Sequence, residues 1–369
     1  MRHFLKRKWQ KKWQNMIIKT RREKFGGVVY FEKPGFVGYV NNKMADAIGI
    51  KKNENAHYVD GIMSSPLDAH FAVTTRCNMY CKGCYNTVKS DCNADIDLNK
   101  AKRIIDNLAR LSVLSVSFGG GEPTLYPHII ELAKYTRSKN ILPNMTTNGL
   151  TMTEDFAKQC RVFGNVHFSV HKPADIGIAF NAAKIYKKYT GKRAGLNLLI
   201  TTETYPLFDE IVKRAGKSGF NKILFLRYKK TSKNAGIDDL DMDDKMPEVF
   251  EKIKELSKKS RLMFLFDCSS MQELAHSRLI SEKLLKKVDA NGCMGGNMYI
   301  AIDVNGNYKP CSFWGETIAD AEHLDFDNWM NNEKLIAFRN FRSSKHCNNC
   351  EYTEICNGGC RLNYLSCKK

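Results

Sequence analysis

The chain has 369 residues, enough to bury a sizeable core and to hold two or three domains. Its 43% hydrophobic and 11% aromatic content is that of a globular protein and excludes a disordered one. Its 58 basic residues against 39 acidic ones leave nucleic acid, acidic peptides and anionic membrane open as partners, while no apolar run is long enough to span a bilayer.

In chain order, residues 1–25 read as one basic helix, with Leu5, Trp9, Trp13, Met16 and Ile17 at helical spacing. It is expected either to touch a membrane surface or an acidic partner, or to dock its tryptophan stripe on the protein itself. No apolar core or small-residue cleavage site follows the basic start, so a secretory signal is not expected and the protein reads as cytoplasmic, with peripheral membrane association open. Two short strands are expected at 28–31 and 36–40 around the Lys33-Pro34-Gly35 turn, then a short helix at 43–48. This first region is taken as 1–69.

From residue 70 the pattern turns regular. Strands are predicted at 71–75, 114–118, 141–146, 166–170, 195–201 and 222–227, and helices at 100–111, 129–139, 156–162, 176–188 and 207–218. Strand–helix alternation implies a parallel sheet, and six units are too few for the eight-fold barrel. The fold class is therefore α/β, a partial six-unit barrel over 70–230, with chemistry expected at the carboxyl ends of the strands. A bridging region over 231–290 carries one predicted strand at 262–266, and a cysteine-rich domain fills 291–369.

Thirteen cysteines in a reducing compartment point to metal rather than disulfides. Cys77, Cys81 and Cys84 directly follow the first barrel strand, and three thiolates suit three irons of a cubane with the fourth left open. Gly119-Gly120-Gly121-Glu122-Pro123 ends the second strand, Thr146-Thr147-Asn148-Gly149 the third, and Ser169 lies near the end of the fourth. Glycines let a ligand approach the backbone, and Glu122 is a candidate acceptor for an ammonium group. All four segments share one rim of the predicted sheet. A zinc site uses similar cysteine spacings but gives the Gly-Gly-Glu-Pro loop no role.

This set resembles the radical-SAM superfamily over roughly residues 70–228. The resemblance implies that Cys77, Cys81 and Cys84 hold the catalytic [4Fe-4S] cluster. It also implies that Gly120, Gly121 and Glu122 meet the methionine amino group of S-adenosylmethionine, that Ser169 meets the ribose, and that Thr147 and Asn148 line the same pocket. One departure stands out: the family has an aromatic residue just before the third cysteine, and here it is Gly83. The adenine contact is then expected from backbone or from Tyr85.

Near the C-terminus, Cys347, Cys350, Cys356 and Cys360 fall close together, with Cys293 and Cys311 upstream and Cys367 after them. Four close cysteines would serve a structural zinc, but seven exceed the needs of one ion. The array resembles the SPASM extension of radical-SAM enzymes, which implies two auxiliary [4Fe-4S] clusters. The interlacing of that family assigns Cys293, Cys311 and Cys360 to one, completed by an open iron or by Cys268. Cys347, Cys350, Cys356 and Cys367 hold the other. Cys92 and Cys160 read as ordinary residues.

The expected activity is reductive cleavage of S-adenosylmethionine to a 5′-deoxyadenosyl radical that takes hydrogen from a substrate carbon, with a flavodoxin- or ferredoxin-type electron donor. A peptide or protein substrate comes first, docked by strand addition on the N-terminal strands, which match the winged-helix leader-binding module only loosely. A tetrapyrrole side-chain decarboxylase or sugar dehydrogenase is the small-molecule alternative. A non-enzymatic zinc- or RNA-binding protein is the alternative of another class, although no RNA-binding signature appears. No general acid or base is assigned. His167 and His171 share the face of Ser169, and Arg227 could meet a carboxylate or pair with a local acid.

Overall fold

A computed structural model describes residues 17–31, 36–86, 94–231, 234, 236–276, 281–283, 292–341, 347 and 349–362. The expected helix over residues 1–16, Cys92 and Cys367 lie outside the described residues. Two sheets organise the chain. The smaller is antiparallel in the order β1 (Ile17–Glu23), β2 (Gly26–Phe31), β3 (Phe36–Asn41), followed by the short helix α1 (Asn42–Ala47) capped by Asn41. The expected helix over residues 1–25 is thus a strand from Ile17 onward. The β-branched Thr20 suits the pleat, and pairing with β2 satisfies the backbone.

The larger sheet is built on β4 (Asp68–Thr74), β5 (Ser115–Gly120), β6 (Leu142–Thr147), β7 (Val166–Val170), β8 (Ala194–Ile200) and β9 (Phe220–Arg227), matching the six predicted barrel strands. Helices α2 (Leu98–Arg110), α3 (Ile129–Ser138), α4 (Glu154–Gln159), α5 (Asp175–Thr190) and α6 (Phe208–Ala215) connect them. The sheet extends beyond this unit on both sides. β10 (Met263–Phe266), from the bridging region, pairs parallel with β9, and β11 (Tyr299–Ile302), from the cysteine-rich region, pairs parallel with β4. β12 (Asn307–Lys309) and β13 (Ala319–Asp320) continue antiparallel, giving ten strands in one open sheet.

Side-chain alternation separates two environments. Phe71, Val116, Phe118, Val166, Phe168, Leu196, Leu198, Ile223 and Phe225 are buried on one face, in the core formed with Ile104, Leu108, Leu132, Phe180 and Ile211 of the helices. The other face carries His70, Ser117, Asn144, His167, Ser169, Asn197 and Lys222, all with polar side chains. This second face leads up to the strand ends where the predicted site lies. Cys160, read as an ordinary residue, is fully buried in the core.

Candidate iron–sulfur and S-adenosylmethionine site

The cysteine loop leaves β4 and is pinned at once. Arg76 pairs with Asp95 and donates to the Leu125 carbonyl at 2.6 Å. The loop after β5 then bonds to it edge-on: Gly121 N–H donates to Thr74 O at 2.8 Å and Glu122 N–H to Arg76 O at 2.7 Å. A Cβ on Gly121 would stand 2.1 Å from Arg76 O, so only glycine allows this approach. Gly120, at φ +130°, is confined against Thr74 O in the same way. Gly119, by contrast, faces open space, so the backbone here is accessible to a ligand.

Cys77, Cys81 and Cys84 are half-buried free thiols within electrostatic reach of one another. Burial pushes the Cys81 thiol up to about 11, with Asp175 and the neighbouring thiols adding to it, and raises Cys77 as well. Such thiols ionise when a metal supplies the positive charge. Gly83 explains the departure noted in the sequence. It takes φ +73°, and a Cβ there would lie 2.7 Å from the Tyr228 ring. An aromatic from the end of β9 therefore occupies the ground beside Cys84. Tyr85 turns elsewhere, packing on Phe313 at a centroid distance of 4.2 Å.

The sequence-predicted pocket residues divide by role. Glu122 is 2% exposed, and its Oε1 accepts from Thr124 N–H, Thr124 Oγ1 and Thr147 Oγ1 while Oε2 accepts from Asn148 N–H at 2.7 Å. Burial raises its pKa against these bonds. Glu122 is therefore a tie between the ends of β5 and β6, with one lone pair of Oε2 left for an ammonium. Thr147 serves the tie and is 2% exposed. Asn148 reaches the cysteine loop through Asn78 Oδ1 at 2.7 Å. Ser169 is on the polar face, opposite Asn197. The open glycine backbone, one spare carboxylate lone pair and the hydroxyl and amide at neighbouring strand ends fit the amino-acid and ribose groups of S-adenosylmethionine.

His167 donates from Nδ1 to Asn197 Oδ1 at 2.7 Å, and its pKa is lowered to about 4 by burial and by Lys222, so it stays neutral near pH 7. Burial also lowers His171. Arg227 is 3% exposed and is bound by Asp243 and Glu273, so it pairs with local acids.

A second thiol set lies beyond Phe313. Cys268 begins a 3-10 turn after β10 and shares a hydrogen bond with Cys293, which lowers the Cys268 pKa and raises that of Cys293. Both thiols lie within electrostatic reach of Cys311 and Cys360. The sequence left Cys268 as one of two alternatives; the fold puts it with the other three. Residues absent from the sequence reading surround them. Tyr299 donates to Cys311 Sγ at 3.6 Å, and Lys229 binds Asp267 and stands over the Phe313 ring at 4.6 Å. Cys347, Cys350 and Cys356 lie in a tight turn, where Thr353 Oγ1 donates to the carbonyls of Cys347 and Cys350. Positive φ at Asn357, Gly358 and Gly359 reverses the chain between Cys356 and Cys360. Every described cysteine is a free thiol. Among the described residues no three His, Cys, Asp or Glu side chains close on a single metal ion.

Comparison with known proteins agrees with this geometry. Residues 71–228 match the radical SAM superfamily, and residues 293–351 match the SPASM iron–sulfur cluster-binding domain. The PqqA peptide cyclase of Bradyrhizobium diazoefficiens is 25% identical over 324 residues, covering 80% of this chain and 81% of the relative. The AdoMet-dependent heme synthase of Nitratidesulfovibrio vulgaris is 22% identical over 317 residues, covering 78% and 85%. The crystal structure of Streptococcus suis SuiB bound to precursor peptide SuiA superposes with a TM-score of 0.73 at 18% identity, covering 96% of both chains.

Proposed function

This chain belongs to the radical SAM superfamily and carries its SPASM domain, and we propose that it acts as a peptide maturase. S-adenosylmethionine and [4Fe-4S] clusters are its cofactors. When bound and reduced they supply a 5′-deoxyadenosyl radical, which the protein itself cannot generate. The reading assigns Cys77, Cys81 and Cys84 to the catalytic cluster. Cys268, Cys293, Cys311 and Cys360 hold the first auxiliary cluster, in place of an open iron. Cys347, Cys350, Cys356 and Cys367 hold the second. Gly120, Gly121, Asn148 and Ser169 hold the cofactor's amino-acid and ribose ends, Glu122 and Thr147 fix that backbone, and Tyr228 takes the aromatic place beside Gly83. Free thiols throughout the described chain suit a cytoplasmic setting and a flavodoxin- or ferredoxin-type donor.

The observation that carries the reading is the pair of thiol sets on either side of the Tyr85–Phe313 contact. One set is open to a cofactor; the other supplies four thiols. The peptide substrate is favoured by the small sheet. β1 is tied to the body through Lys19 to Val113 O and through Arg21 to Ser65 and Pro66, which leaves β3 as the outer edge among the described strands. Exposed Val37, Tyr39 and Met44 flank that edge. An extended leader adds to such an edge through main-chain bonds, with apolar side chains setting register. The similarity to a heme synthase favours a second reading, a tetrapyrrole substrate, in which the β3 edge has no task.

The test is anaerobic reconstitution, reduction with dithionite and addition of S-adenosylmethionine. The expected result is 5′-deoxyadenosine with about 12 irons per chain, the content of three cubanes. About 4 irons would remove the auxiliary clusters, and zinc without deoxyadenosine would overturn the enzyme reading. Faster deoxyadenosine formation with candidate leader-bearing peptides, against none with porphyrinogens, separates the two substrates.

A further inference from the structure

The second thiol set has a neutral donor placed inside it. Tyr299 opens β11, the strand that pairs with β4, and its ring stacks on His70 with centroids 4.6 Å apart and planes inclined by 14°. His70 is fixed in turn by Asp68 at 3.1 Å, and Asp68 accepts from Ser115 Oγ at 2.5 Å. The ring therefore has little freedom. Its hydroxyl lies 3.6 Å from Cys311 Sγ, to which it donates, and 3.9 Å from Cys268 Sγ. These are distances for a hydrogen bond to sulfur, and the two thiols belong to opposite ends of the set, one from the turn after β10 and one from the loop after β12.

We propose that Tyr299 is a positioning residue for the first auxiliary cluster, whose hydroxyl donates to the Cys311 sulfur and so sets its reduction potential upward. The inference rests on the assignment of a cluster to Cys268, Cys293, Cys311 and Cys360. A cluster gains negative charge on reduction, so a donor aimed at its thiolates stabilises the reduced form more than the oxidised one. A hydrogen bond to a charged acceptor is stronger than one to a neutral acceptor, and only part of its strength differs between the two oxidation states. About tenfold in the one-electron equilibrium, which is about 59 mV, is the expected scale. The same arrangement explains why a bulky aromatic opens a strand beside the thiols: a Leu there would fill the volume and leave the sulfurs without this donor.

The experiment is an anaerobic redox titration of the reconstituted full chain, followed by electron paramagnetic resonance and paired with iron analysis. In Tyr299→Phe one reduction wave moves to lower potential by about tenfold in equilibrium constant, the other waves stay, and iron content is unchanged. A variant with full iron and every wave in place overturns the proposal. Should Tyr299→Phe fail to hold its iron, the wild-type chain grown with fluorinated tyrosine gives the second measurement, since fluorination strengthens the donor while nearly keeping its shape. The same wave then moves up, and an unmoved wave again overturns the proposal. Wild-type protein holding only about 4 irons would instead overturn the cluster assignment on which the inference rests.

Discussion

At the scale of single residues, the site separates side chains that hold the structure from those free for a ligand. Arg227 is the clearest case. Its guanidinium is bound by Asp243 and Glu273, and the Glu273 side chain is itself only 15% exposed. Truncation would leave a buried carboxylate without its partner, at a cost of about 3–5 kcal/mol. Arg227→Met should therefore lower the unfolding free energy measured by urea titration by that amount, while the affinity of the folded enzyme for S-adenosylmethionine and peptide stays near wild type. A selective loss of peptide affinity with unchanged stability would return Arg227 to the substrate site. His167 allows a pH test. Its folded pKa of about 4 lies below the unfolded value of 6.5, so the unfolded chain binds the extra proton between those limits. Stability is then complete above pH 6.5 and falls as the pH drops to 4. The ring is only half-buried, so the expected loss is about 2 kcal/mol rather than the full linkage value. His167→Gln should flatten that part of the profile in denaturant titrations at pH 5 and pH 7.5, leaving the part due to His171, which burial shifts the same way.

At the scale of elements, the contact between the cysteine loop and the loop after β5 is backbone against backbone. A methyl on Gly121 meets Arg76 O at 2.1 Å, and no flexible side chain can yield there. Gly121→Ala should displace the cysteine loop and weaken S-adenosylmethionine binding by tenfold or more, read by equilibrium dialysis, and alter the cofactor-induced change in the catalytic cluster's spectrum. Equal affinity in the variant would mean that the loop does not depend on this contact. The elements also show what the sequence could reveal. The six barrel strands were legible because short apolar runs, some alternating with polar residues as in Val166–Val170, recur between helical stretches. The three-cysteine loop and Gly-Gly-Glu-Pro were legible because they stand at strand ends. β1 was hidden, because Ile17 continued the helical spacing read over residues 1–25 while its strand character comes from pairing with β2. Cys268 stayed ambiguous, since the 3-10 turn after β10 brings it to Cys293 across 25 residues of sequence that follow no motif. Tyr299 carried no signal at all: only the pairing of β11 with β4 gives it His70 to stack on and Cys311 to bond.

At the scale of the whole molecule, the cysteine-rich region is part of the sheet rather than an appendage. β11 hydrogen-bonds along β4, the strand that leads into the loop of Cys77, Cys81 and Cys84, and Ile300, Ile302, Tyr308 and Trp329 lie in the main core. Trp329 Nε1 also donates to Met63 O at 2.7 Å, close to where the chain enters β4. Removing residues 291–369 would expose both the β4 edge and that part of the core, and an unprotected apolar edge favours aggregation. Replacing Cys293, Cys311 and Cys360 together by Ala removes one set of ligands but keeps every strand. The truncated chain is therefore expected to elute as aggregate on gel filtration and to bind no catalytic iron, whereas the triple variant stays monodisperse, holds about 8 irons and still cleaves S-adenosylmethionine. A monodisperse truncated chain that retains cleavage would show that β4 needs no neighbour on that side. The opposite result ties the two chemistries physically: the strand that carries the catalytic cysteines is held in the sheet by the domain that carries the auxiliary ones.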